Sequence, residues 1–159
     1  VSTLFLTQPE LWPALAAFII IGFRLTVSDW KYHRLPFTWN IALIVAGALL
    51  LSFASLHDSA MHIIYALITA GTVFVLFNIL FAISRGNLGF GDVILTGGLS
   101  LYTGYISLTA TFLALWCGSL ITLGVAIGQK RRHRESTQFV AYGPGLIIAT
   151  CAVLVIPGL

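Results

Sequence analysis

Long apolar stretches alternate along this chain with short polar breaks, and the breaks are few. A helix that crosses a bilayer needs about 20 mostly apolar residues. By that measure the pattern predicts six segments. The first runs from about Leu11 to Ser28, with Pro13 tolerated in its first turn. Pro36 cannot continue a helix but can help start one, so the second segment is Phe37 to Leu56. His57-Asp58-Ser59 makes a tight connection to the third, Ala60 to Ile83. The fourth begins at Asp92, is interrupted by Gly97-Gly98 and ends near Tyr102. A turn near Thr103-Gly104 leads to the fifth, Ile106 to Gly128, which closes on Gly124-x-x-x-Gly128, a close-packing pattern for helices in lipid. The sixth is Phe139 to Ile156, interrupted at its start by Tyr142-Gly143-Pro144-Gly145. The expected fold is all-α: a polytopic membrane protein, a bundle of six transmembrane helices forming one domain over residues 1–159.

Composition points the same way. The chain is 58% hydrophobic and 8% charged, where a soluble domain carries about 25% charged residues. So few charges could not cover the surface of a water-soluble fold. Net charge is only +3, and the one basic cluster, Lys130-Arg131-Arg132-His133-Arg134, lies between two apolar segments. It therefore reads as a loop rather than a nucleic-acid site. Lys and Arg fall in the first loop (Lys31, Arg34), the third (Arg85) and the fifth, and the second and fourth have none. The positive-inside rule then puts the odd loops in the cytoplasm and both termini on the other side.

Other polar groups add less. Cys117 and Cys151 lie within apolar segments and are expected to be buried free thiols. Asn78, at membrane depth, is expected to hydrogen-bond to a neighbouring helix. The four histidines show no metal-ligand spacing, and no phosphate-binding loop is present, so neither metal nor cofactor is expected.

Candidate chemistry rests on the carboxylates: Glu10, Asp29, Asp58, Asp92 and Glu135. Asp29 closes the first apolar segment. Asp92 opens the fourth, after the glycine-rich Gly86-Asn87-Leu88-Gly89-Phe90-Gly91. An ionisable group at the edge of a membrane is costly and marks a functional site by default. For Asp92 the simpler reading is a helix cap. Loop charges assign Asp29 and Asp92 to the same, cytoplasmic, end of the bundle. Two carboxylates brought close share one proton and so hold a base and an acid together. Such a pair can take a proton from water, let the water attack a peptide carbonyl and protonate the oxyanion. Asp92 lies at a helix N-terminal end and Asp29 at a C-terminal end, so helix dipoles suggest Asp92 ionised and Asp29 protonated.

Three elements then resemble a known family. Gly89-Phe90-Gly91-Asp92 matches the G-x-G-D motif of intramembrane aspartyl proteases. Asp29 with Lys31, Arg34, Leu35 and Pro36 resembles the D-x-x-x-x-x-[IL]-P segment of type IV prepilin and preflagellin leader peptidases, and Tyr142-Gly143-Pro144 is similar to their late F-G-P element. The resemblance implies an aspartic endopeptidase that removes the basic leader of prepilin-like proteins at the cytoplasmic membrane face. Asp29 and Asp92 would be catalytic, and Gly89, Gly91, Pro36, Gly143 and Pro144 would support the motif or position substrate. The aspartates are 92 − 29 = 63 residues apart, room for two intervening spans. The implied partners are a prepilin-like substrate and membrane lipid, not nucleic acid. His33, Arg34 and Arg85 are expected to meet lipid headgroups.

Two departures stand out: Ile94 where family members often carry Lys, and Phe37 where Asn commonly follows the proline. The chain also has no counterpart of the cysteine-bearing cytoplasmic domain of larger members, which implies peptidase without methyltransferase activity. Two other readings compete. One is a small transporter or channel subunit with carboxylate ion sites, which would place the aspartates near the bilayer midplane rather than beside basic loops. The other is a non-catalytic pilus or secretion assembly protein, which the Ile94 and Phe37 departures leave open.

Overall fold

The computed structural model describes residues 5, 8–32, 35–57, 59–84, 88–132 and 142–155, without the side chains of 129–132. Among these residues there are six α-helices and no strand. They are α1 (Trp12–Tyr32), α2 (Phe37–Ser55), α3 (Ala60–Ile83), α4 (Phe90–Ile106), α5 (Leu108–Arg132) and α6 (Gly143–Val155). A single 3-10 turn, Pro9–Leu11, runs directly into α1. The all-α polytopic architecture expected from the apolar pattern is the one observed.

Local chemistry explains the helix starts. Pro36 precedes α2 with φ −62° and ψ 125°, and its carbonyl accepts the N–H groups of Trp39 and Asn40. Ser59 precedes α3 in extended conformation, and its hydroxyl accepts the Met61 N–H, one of the donors a helix start leaves unpaired. The observed α3 begins and ends at the residues predicted for the third segment.

The corner between α4 and α5 differs from expectation. The fourth helix does not stop at Tyr102 but continues to Ile106, and the break is the single residue Ser107, extended at φ −172° and ψ 161°. The Ser107 hydroxyl accepts the Ala110 N–H at 3.0 Å, and a Thr103–Thr111 hydroxyl bond of 2.9 Å closes the corner. Gly104 stays helical because α3 comes close there: a Cβ on it would lie 2.9 Å from Thr69 Cβ and 3.2 Å from the Ala66 backbone. Gly97 and Gly98 likewise interrupt nothing. They face Phe74 of α3 and Ile44 of α2 at close range. In contrast, a Cβ on Gly124 or Gly128 would meet open space, so the Gly124-x-x-x-Gly128 pattern seats no helix among the described residues. The sixth helix runs from Gly143 to Val155 among the described residues, with Tyr142 before it non-helical; Phe139, the expected start of the sixth segment, and Ile156, its expected end, lie outside the described residues.

Helix α4 forms the centre of the bundle. Every residue from Val93 to Ile106 is buried, with α2, α3, α5 and α6 packed around it and α1 lying against α2 and α6. Gly47 of α2 leaves room for the Tyr102 ring, whose hydroxyl donates to the Leu43 carbonyl at 3.2 Å. Four helical stretches, Pro9–Tyr32, Phe37–Ser55, Ala60–Ile83 and Leu108–Gly128, are long and apolar enough to cross a membrane; α4 (17 residues) and α6 (13 residues) are shorter. The protein is a multi-pass membrane protein.

Two polar expectations need correction. Cys117 is exposed on the outer face and Cys151 is half-buried, so the thiols are free but not sealed inside. Asn78 donates to the Phe74 carbonyl of its own helix at 2.9 Å, not to a neighbouring one. His57 lies 3.9 Å from Glu10, whereas Asp58 lies outside the described residues.

Candidate active site

Asp29 occupies the last turn of α1 and is 5% exposed. Its Oδ2 accepts the Gly143 backbone N–H at 3.0 Å, across 114 residues of chain. Gly143 is the first residue of α6, so its N–H has no acceptor within its own helix. The carboxylate of α1 thus caps another helix. A Cβ on Gly143 would lie 2.9 Å from that same Oδ2, which is why a glycine fits there.

Asp92 is the third residue of α4, with Gly89 as its N-cap. Its own N–H bonds back to the Gly89 carbonyl at 3.1 Å, and its carboxylate takes the Gly89 N–H. This is the return arm of a capping box. The cap reading of Asp92 is therefore correct. The same carboxylate lies within electrostatic reach of Asp29 and of the Tyr142 phenol.

Leu35 joins the two halves. A Cβ on Gly91 would lie 3.0 Å from Leu35 Cβ, and one on Gly143 would lie 3.3 Å from Leu35 Cδ2 and 3.4 Å from Leu95 Cδ2. Pro36, next to it, turns the chain into α2. Pro144 is buried in the first turn of α6, where a missing N–H leaves nothing unpaired. The structure thus brings Asp29, Pro36, Gly89, Gly91, Asp92, Gly143 and Pro144 to one end of the bundle. Gly86 and Asn87 of the glycine-rich stretch, and His33, Arg34 and Arg85, lie outside the described residues.

Two features escaped the sequence reading. Asn40 is fully buried, and its Nδ2 donates to the Gly91 carbonyl at 3.1 Å, tying α2 to the start of α4. Its signal was a lone amide one turn into an apolar helix. Phe37, where an amide was missed, points outward at 62% exposure, and the amide on this stretch of α2 is Asn40. Ile94 is buried, in a position that packs rather than presents a charge. The second feature is the pair Ser119 and Tyr142, whose hydroxyls are 2.8 Å apart.

The dipole argument does not survive. It counted only the helices that carry the aspartates. With α6 in place, Asp29 also sits at a helix N-terminus, so both carboxylates receive a backbone N–H from one. Helix ends no longer separate the two. Among the described residues no three His, Cys, Asp or Glu side chains come together as a metal site would need.

Residues 16–127 match the type IV leader peptidase family. The chain belongs to the type IV leader peptidase family. The matched stretch contains Asp29, Leu35-Pro36 and Gly89 to Asp92, and ends before Tyr142. No curated protein and no solved structure matches the chain. Family membership makes it a leader-peptidase-like protease, here built into a multi-pass helical bundle.

Proposed function

We propose that this leader peptidase is an aspartic endopeptidase whose catalytic pair is Asp29 and Asp92. Its substrate is a prepilin-like protein, an apolar helix preceded by a short basic leader, cut at the cytoplasmic face. The observation that supports the pair is the approach of two carboxylates from α1 and α4 at one end of the bundle, each held by a backbone N–H. Two carboxylates that meet share one proton, and that proton belongs to the pair rather than to either residue.

In this mechanism the ionised member removes a proton from water as the water oxygen attacks the scissile carbonyl. The protonated member gives its proton to the carbonyl oxygen. Collapse of the resulting gem-diol breaks the C–N bond, and a carboxyl proton passes to the leaving nitrogen. Gly89 is exposed beside Asp92 and leaves room for an extended peptide, whereas Gly91 is packed by Leu35. The basic loops beside this end favour the cytoplasmic side, which puts both termini on the other.

Co-expression with a prepilin-like protein, scored by leader removal, tests the reading. Asp29→Asn and Asp92→Asn should each leave the leader attached. Processing by both variants at the wild-type rate overturns it.

A further inference from the structure

The route by which Asp29 is held begins on a helix that carries neither aspartate. Ser119 of α5 donates its hydroxyl proton to the Leu115 carbonyl at 2.8 Å. A serine hydroxyl has one proton, so in the 2.8 Å contact with Tyr142 the phenol is the donor and Ser119 Oγ the acceptor. One turn further along α5, the Thr122 hydroxyl donates its proton to the Gly118 carbonyl at 3.0 Å, and its oxygen lies 3.4 Å from the Tyr142 carbonyl. The next residues are pressed onto the same face. A Cβ on Gly145 would collide with the Thr122 hydroxyl and approach the Gly118 carbonyl to 2.9 Å, and one on Gly118 would lie 2.7 Å from Leu146 Cδ2. Tyr142 is thus fixed to α5 through its phenol, and the turn that follows is seated on the same helix. The Gly143 N–H points at Asp29.

We infer that the Tyr142 hydroxyl, anchored on Ser119, is a positioning group that aims the Gly143 N–H at the Asp29 carboxylate. The peptide unit between Tyr142 and Gly143 is planar, so its carbonyl and N–H turn together. The phenol holds the side chain of Tyr142, and the close seat of Gly145 on Thr122 and Gly118 holds the turn that follows. Their joint effect is to set the direction of the Gly143 N–H that faces Asp29. Tyr142 acts through Gly143 and touches no reacting atom. Its loss should slow the chemical step and leave substrate binding alone.

This inference rests on Asp29 being catalytic, and the experiment separates the two claims. Full-length protein in detergent is assayed on a peptide bearing a basic leader before an apolar helix. Asp29→Asn is the check on the parent reading: undiminished cleavage by that variant overturns it, and the inference with it. With Asp29→Asn inactive, Tyr142→Phe and Ser119→Ala should each lower kcat about fivefold with KM unchanged, the scale of one net hydrogen bond. The double variant should lose no more than either single one, since both delete the same bond. Ser119→Thr, which keeps a hydroxyl, should retain wild-type kcat. Additive losses, a change confined to KM, or a Ser119→Thr variant as slow as Ser119→Ala would each overturn the positioning role while leaving the Asp29 reading intact.

Discussion

Helices α3 and α4 lie side by side, and the more apolar of the two is on the outside. The α3 span has a mean hydropathy of 2.3, yet only 17% of that span is buried. Helix α4 carries four glycines, three Ser or Thr, two Tyr and Asp92, and is buried from Val93 onward. In water this would be inverted. In lipid, apolar surface gains nothing by turning inward, so the inside goes to residues that allow close approach or make hydrogen bonds. Gly97, Gly98 and Gly104 show the first, and Tyr102 and Thr103 the second. The same rule leaves Asp92 at the one helix with protein on all sides.

The comparison is broken most sharply by activity. Asp92→Asn on α4 should lower leader removal by about 10³-fold or more, whereas Leu76→Ala on the exposed face of α3 should leave the rate within about twofold. A comparable loss from both variants would mean that α3 belongs to the machinery.

Next in size is glycine replacement. Gly104→Val drives a side chain into Thr69 and Ala66 and should destabilise by about 1–3 kcal/mol. Gly71→Val, on α3 with open space before it, should change stability by less than about 0.5 kcal/mol. Thermal unfolding of the two purified variants in one detergent checks the difference, and equal shifts would remove the packing account of α4.

Asn40→Leu leaves the Gly91 carbonyl without its donor and should cost about 0.6–2 kcal/mol, the range for hydrogen bonds between membrane helices. It should lower activity as well, because Gly91 adjoins Asp92. The smallest effect sharpens α3 itself. Ser59→Ala removes its N-cap and should cost about 1 kcal/mol, seen as faster hydrogen exchange in its first turn with leader removal unchanged.

Much of this was legible in the chain. Apolar length gave the helices, because run length is a property of the segment alone, and α3 was bounded to the residue. Asp29 and Asp92 stood out because five acidic residues leave few candidates in so apolar a chain. What was misread depended on a second helix. Gly97, Gly98 and Gly104 look like breaks in isolation and become contacts once Phe74, Ile44 and Thr69 arrive. Asn40 carries no sign of its acceptor, and the Ser119–Tyr142 bond joins residues 23 apart. The dipole argument failed for the same reason: the N–H that meets Asp29 comes from 114 residues away.

The corner at Ser107 gives the central helix a lever arm. One extended residue joins α4 to α5, so the two are tied at one tip, and Asp92 lies 107 − 92 = 15 residues from it. At about 1.5 Å per residue that arm is roughly 22 Å long, and a swing of about 5° around the corner carries the Asp92 end by about 2 Å. Any tilt of α4 at that corner is therefore felt most at its Asp92 end, where the Asn40–Gly91 hydrogen bond opposes it.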